Sequence, residues 1–420
     1  MISKSEVWYV DQYIGHPKYG NVYRNFYMAK ELVKRGYKVR VFSASYSHLM
    51  YSPPITTGLV TTEIIDDVEF NWIRVKRYGS GRGFGRIFSI FEFTAKVIML
   101  KNLSPPDFVI TPSVSFLPYW SIRYLISHVW KSKSPKLILE IRDLWPLTFT
   151  TVGNVRKANP FIRLLAKTEK HALTHVDYII STLRMCQDYI DTIVNKPYRF
   201  KWIDNGINTP ESSDFSLPAE IENLIPTDRF IVGYTGTLGA ANSMEYFVNA
   251  AWLLVNQEAI HFVVVGDGYE KESLIARSRG LSNITFIPRV SKLLIPKILE
   301  RFDVLYFSYL NAPELYQYGV SANKTYEYML SGRPVILSCP LMKFNVITEA
   351  HCGKVIAPED EHAIADAVNE MFGMSALQRE ELGRNGKKYI LENNTFDILA
   401  EKLIEVFKEL EADKSKAEIN

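Results

Sequence analysis

Along this chain, short runs of β-branched and aromatic residues alternate with longer stretches whose apolar positions recur three and four apart. The short runs read as buried strands and the longer stretches as amphipathic helices. In the first half, strands are predicted at Ser5–Tyr9, Lys38–Ser43, Val68–Arg77, Phe108–Thr111, Lys136–Glu140, Tyr178–Ser181 and Phe200–Ile203. Helices are predicted at Asn21–Arg35, where Gly36 is the stop, and at Pro160–Thr174. Residues 207–228, rich in Pro, Ser and acids and lacking an apolar period, read as a linker. A second alternating block follows, with strands at Phe230–Tyr234, Ile260–Val265, Ile284–Ile287, Val304–Phe307 and Val335–Leu337. Its helices are predicted at Met244–Asn256, Tyr269–Ser278, Leu293–Arg301, from Asn323 onward, and at Ala363–Phe372, Ala376–Glu392 and Phe396–Glu411.

Alternation of this kind implies an α/β protein with parallel sheets covered by helices on both faces. The expected organisation is two doubly wound domains, residues 1–206 and 229–395, with the last helix, about 396–411, returning to the first. Ligands of such sheets bind at the carboxyl ends of strands, so two facing domains would form a cleft with a site on each wall.

Composition narrows the class. A chain of 420 residues exceeds one core, and 47% hydrophobic with 23% charged residues describes a folded, globular protein. No apolar run reaches the length of about eighteen residues that a spanning helix needs, and the opening MISKSEVWYVDQY lacks a signal-peptide core. A cytoplasmic location is therefore expected. Cys186, Cys339 and Cys352 are scattered, with no CxxC and no histidine at metal spacing, so they read as reduced structural thiols and no metal is expected. The net charge of +3 conceals an asymmetry: residues 1–205 carry 29 Lys and Arg against 16 Asp and Glu, and residues 206–420 carry 20 against 30. A basic first half points to an anionic partner. Nucleic acid is not expected, because no helix-turn-helix, zinc or RNP signature accompanies the charge. A membrane surface or a substrate bearing a pyrophosphate fits as well.

The densest chemistry lies in YGVSANKTYEYMLSGRPVI, residues 318–336. Gly319, Ser321 and Asn323 are loop and cap residues, Ser331-Gly332 closes the helix and Pro334 keeps it closed. Backbone N–H groups at such a helix start can hold a phosphate, with Lys324 adding a cation. Glu327, one turn inside, is a carboxylate able to accept two ribose hydroxyls. An ordinary surface pair would show the same three-residue spacing of Lys324 and Glu327. Other strand ends supply companions, Gly236 and Gly239 in GYTGTLGAANS and Arg289 in FIPRV, whereas Asp267 in VVVGDG reads as part of a tight turn.

Taken together, these loops and GHPKYGNVYRNFYMAKELVKRGYKVRVFSA near the start resemble a GT-B glycosyltransferase of family 4. ILEIRDLWPLT and DDVEFNWIRVKRYGSGRGFGR are similar to the RDLWP-type transferases of bacterial O-antigen and capsule assembly. The resemblance implies that Glu327 holds the donor ribose and that Ser321, Ala322 and Asn323 cradle the distal phosphate beside Lys324. It assigns Gly236 and Thr237 to the diphosphate loop, Arg289 and Val290 to the base pocket, and Gly15, Gly20 and Asn21 to the loop near donor phosphate and acceptor. Arg142 and Asp143 stand where relatives carry a catalytic His-Asp pair. Arg142 cannot act as a base near neutral pH, so it would position or neutralise phosphate. The first acid of the family's E-x7-E motif is replaced by Gly319, with Glu314 as a substitute.

The implied reaction is retaining transfer from a nucleoside-diphosphate sugar, UDP-linked, to a polyprenyl-diphosphate-linked saccharide, without a cofactor or metal ion. Arg74, Lys76, Arg77, Arg82 and Arg86 around a helix carrying Phe84, Ile87, Phe88 and Phe91 suit peripheral attachment to the inner face of the cytoplasmic membrane, and a buried core helix would explain the same apolar face. Two other readings share the architecture, a non-hydrolysing sugar-nucleotide epimerase and a non-catalytic sugar-nucleotide-binding subunit. A dehydrogenase is disfavoured, since no GxGxxG opens the first strand–helix unit.

Overall fold

The computed structural model describes residues 5–79, 83–113, 116–153, 155–208 and 216–419. The chain divides into two compact units, Met1–Asn208 with Phe396–Asn420, and Thr209–Thr395.

The first unit is built on eight strands: β1 (Glu6–Val10), β2 (Lys38–Ala44), β3 (Val60–Ile65), β4 (Val68–Ile73), β5 (Phe108–Pro112), β6 (Lys136–Ile141), β7 (Tyr178–Ser181) and β8 (Phe200–Trp202). Their order is β3-β4-β2-β1-β5-β6-β7-β8, and every neighbouring pair is parallel except β3–β4. Strands β1, β5 and β6 are buried nearly throughout, as apolar runs covered on both faces must be. The chain runs from β1 to one side and then, through β5, to the other, so the sheet's switch point lies at the end of β1.

The last helix, Phe396–Ile419, belongs to this unit, and it sinks Phe396, Leu399, Leu403, Val406, Phe407 and Leu410 into the core. The Phe407 ring stacks 4.4 Å from that of Phe108 on β5. Its acidic face answers basic residues of the same unit: Glu401 pairs with Arg35, Glu405 with Lys201 and Asp413 with Arg199.

The second unit holds β9 (Phe230–Thr237), β10 (Ile260–Asp267), β11 (Ile284–Ile287), β12 (Val304–Ser308), β13 (Val335–Ser338) and β14 (Gly353–Ile356). The order is β11-β10-β9-β12-β13-β14, all parallel, with the switch point at β9.

Several boundaries differ from the sequence reading. β3 was not expected; it pairs antiparallel with β4 across Asp66 and Asp67, both at positive φ (48° and 63°), which is a two-residue hairpin without glycine. β14 was also missed, being short and carrying Gly353 and Lys354. β4 ends at Ile73, not at Arg77. The first helix starts at Arg24, not Asn21, because Gly20 and Asn21 both hold positive φ. The helix expected over 293–301 is a 3-10 turn, Lys292–Leu294, followed by Ile295–Leu299 with Pro296 in its first turn. Of the linker, residues 209–215 lie outside the described residues, and Ala219–Glu222 forms a single turn.

Candidate functional site

The switch point of the second unit gathers the segment that the sequence singled out. Helix Asn323–Leu330 buries Thr325, Tyr326, Tyr328 and Met329 and ends where Gly332 turns at φ 75°. Past Gly233, β12 no longer pairs with β9. There the Tyr328 hydroxyl takes the N–H of Thr235 at 2.7 Å, which fixes the helix to β9. The start of the helix therefore sits over the end of β9.

At that end, Gly236 has φ 149°, and a Cβ there would lie 2.7 Å from Lys324 Nζ. No side chain fits between them. The Lys324 ammonium rests 4.0 Å from the centre of the Tyr234 ring. Burial lowers its pKa to about 7, while the charge of Glu327 pulls the other way. An anion placed beside this buried amine would restore its charge. The helix is not capped by the side chain of Ala322, its N-cap residue, and the Ser321 hydroxyl is within 2.9 Å of the Tyr326 hydroxyl. Asn323 is exposed at the first position of the helix.

One turn on, Glu327 Oε1 lies 2.9 Å from Lys292 Nζ. Lys292 belongs to the loop after β11 that also holds Arg289, which is exposed, and Val290, which is partly buried. The ion pair thus joins the ribose carboxylate of the sequence reading to its base-pocket loop. Thr237 is exposed, and its carbonyl accepts hydrogen bonds from Tyr234 Oη at 2.7 Å and Asn242 Nδ2 at 3.0 Å. Gly319 is buried at φ 102°, a conformation in which a glutamate would be strained, so the absent acid is built into the backbone. Glu314 is exposed on the short helix Pro313–Tyr316.

The first unit holds a separate cluster at the ends of β1 and β6. Glu140 accepts from Arg24 Nε at 2.9 Å and from Asn25 Nδ2 at 2.7 Å. Arg142 donates to Asn25 Oδ1 at 3.0 Å and to Asp11 Oδ2 at 3.2 Å. Burial raises the Asp11 carboxyl to about 6 against the opposing pull of Arg142. For Glu140, burial pushes upward, but Arg24 and Arg142 outweigh it and hold the carboxyl below its ordinary range. Asp143, beside Arg142, is exposed. Nearby, Gly15 and Gly20 allow the loop to fold on itself: a Cβ on Gly15 would meet the Gly20 carbonyl oxygen at 2.0 Å. The Asn21 Oδ1 accepts from Ser47 Oγ at 3.2 Å.

Sequence reasoning missed Lys292, Tyr234, Asp11, Arg24, Asn25 and Glu140. Lys292 follows Arg289 in the same loop, and only its distance to Glu327 gives it meaning. Arg24, Asn25 and Glu140 carried no motif of their own. Among the described residues, no three His, Cys, Asp or Glu side chains gather in a manner suited to a metal ion, and no helix is long and apolar enough to cross a membrane.

Two Rossmann-like sheets, parallel except for the β3–β4 edge pair and each with its switch point at the first strand, make up the GT-B fold of glycosyltransferases. Residues 229–373 match the family model of glycosyl transferases group 1. An uncharacterized glycosyltransferase of Methanocaldococcus jannaschii is 24% identical over 242 residues, 55% of this chain, which spans 59% of that relative's length. Among solved structures, a sucrose-phosphate synthase from Thermosynechococcus elongatus superposes with a TM-score of 0.73 at 17% identity, covering 98% of this chain and 100% of that one. HepE from Anabaena, in complex with UDP and glucose, gives 0.65 at 13% identity, covering 96% and 100%.

Proposed function

We propose that the chain is a retaining glycosyltransferase that moves a hexosyl or N-acetylhexosaminyl group from a UDP-linked donor to a polyprenyl-diphosphate-linked saccharide. The observation that carries this reading is the meeting of Gly236, Lys324 and Glu327 at the switch point of the second sheet. A strand-end glycine packed against the cation of Lys324 suits a diphosphate, and a carboxylate one helical turn away suits a ribose. The match of residues 229–373 to glycosyl transferases group 1, and the binding of UDP and glucose by HepE, support the choice of donor.

In the proposed mechanism the leaving UDP gathers negative charge as the glycosidic bond to the sugar breaks. Lys324, with the amides of residues 321–323, would meet that charge, each well-placed donor contributing about 3 kcal/mol to the transition state. We assign the reaction no metal ion, since Lys324 supplies the cation. Arg142 is engaged by Asp11 and Asn25, so its proposed duty is to order the strand ends around Asp143 on the acceptor side.

Membrane attachment is part of the reading. Helix Phe84–Val97 leaves Phe84, Phe88 and Phe91 exposed at 90%, 60% and 44%. Arg74, Lys76 and Arg77 precede it, while Arg82 lies outside the described residues. That face would bring the enzyme to a lipid-linked acceptor.

A thermal-shift screen across UDP-, GDP- and ADP-sugars tests the central claim. A donor at 100 times its Kd should add about 2.7 kcal/mol of stability, and Lys324→Ala should abolish the gain. No shift with any of them would sink the reading.

A further inference from the structure

The ion pair between Lys292 and Glu327 has no place in the roles described so far. Glu327 is three-quarters buried on its helix, whereas Lys292 is 62% exposed on the loop that follows β11. The two elements come from opposite sides of β9, since β11 lies beyond β10 and the helix follows β12. Within the loop, Ser291 accepts from Leu293 N and opens the 3-10 turn of which Lys292 is the first residue. From there Lys292 reaches Glu327 at 2.9 Å.

We infer that Lys292 is a positioning residue for nucleotide recognition, resting on the reading of Glu327 as the ribose carboxylate. A glutamate side chain has three rotatable bonds and loses conformational freedom when it meets a ligand. An ammonium bound to Oε1 removes part of that freedom in advance. A carboxylate offers about four lone-pair directions, so one bond to Lys292 leaves capacity for two vicinal hydroxyls. Lys324 lies over the Tyr234 ring and Lys292 pairs with Glu327 Oε1, so the two cations have different neighbours. Lys324 faces the diphosphate position, and Lys292 orients the group that reads the sugar of the nucleoside. Lys292 also ties that group to the loop of Arg289 and Val290, so base and ribose recognition share one support.

Titration calorimetry of the full chain with UDP and with 2′,3′-dideoxyuridine diphosphate distinguishes the possibilities. Wild type should prefer UDP, and Lys292→Met should weaken UDP binding about fivefold while leaving the dideoxy compound unchanged. Glu327→Gln should erase the preference, and adding Lys292→Met to it should change nothing more. Tighter UDP binding by Lys292→Met would show a latch that the ligand displaces, and would overturn the inference. Equal weakening for both compounds would make Lys292 a phosphate contact, with the same consequence. If Glu327→Gln keeps the preference for UDP, the ribose role of Glu327 fails first, and the assignment of Lys292 falls with it.

Discussion

Lys324 sits where a small change of protonation has a large effect. Its pKa of about 7 in the free protein comes from burial, and a diphosphate placed beside it would restore the ordinary, higher value. Below pH 7 the amine is already charged, so binding takes up no proton and affinity is at its full value. Above pH 7 each binding event must take up a proton, and affinity falls as pH rises. Calorimetry of UDP at pH 8 in buffers of different ionisation enthalpy should show proton uptake, and Lys324→Arg should abolish it. Glu169 makes a parallel case away from the site. It is buried, bonded to the Tyr189 hydroxyl at 2.7 Å, and raised by burial to about 8. The folded chain therefore holds a proton there that the unfolded chain releases between pH 4.5 and 8, so stability falls across that window. Chemical denaturation at several pH values should show this slope, and Glu169→Gln should flatten it. Lys324 and Glu327 were legible in the sequence because helical spacing is local. Lys292 and Tyr234 were not, because their relation to that pair exists only once β9, β11 and the helix are packed.

Elements were legible where the apolar period was strong and uninterrupted. The central strands of both sheets read directly as β-branched runs, because burial on both faces forbids polar alternation. β3 escaped because its residues alternate on an exposed edge and its turn uses Asp66-Asp67, not Asp-Gly. One buried hydroxyl, that of Tyr328, ties the helix of the candidate site to β9. Tyr328→Phe should leave the N–H of Thr235 without its partner and cost about 1–3 kcal/mol. The same change should weaken UDP binding, because the helix start would lose its register on β9. Unchanged UDP affinity with lowered stability would mean that helix position and ligand binding are not linked. Phe407→Ala should cost about 3–5 kcal/mol, since it empties a place in the first unit's core against Phe108 and Tyr37. On the proposed reading UDP binds in the second unit, so its affinity should survive that change wherever the chain remains folded.

At the scale of the whole chain, charge is sorted by unit. Residues 1–205 hold 29 basic against 16 acidic residues, and the acidic last helix, packed on the same unit, lessens that excess without removing it. On the proposed reading, what remains would meet an anionic surface where exposed apolar side chains are near, and Phe84, Phe88 and Phe91 are such side chains. Each basic residue near an anionic bilayer contributes about 1 kcal/mol, and each phenylalanine that leaves water about 1.5–3 kcal/mol. The two terms can be separated by experiment. Sedimentation with vesicles rich in phosphatidylglycerol should pull down the wild-type chain, and pure phosphatidylcholine should pull down much less. Raising the salt concentration should weaken the first interaction, because screening shortens the reach of the basic residues. Phe88→Glu should abolish binding at low salt without lowering thermal stability, since that ring packs against little in the folded chain. Equal sedimentation of wild type and Phe88→Glu would remove the helix from the membrane contact, and the exposed rings would then need a protein partner.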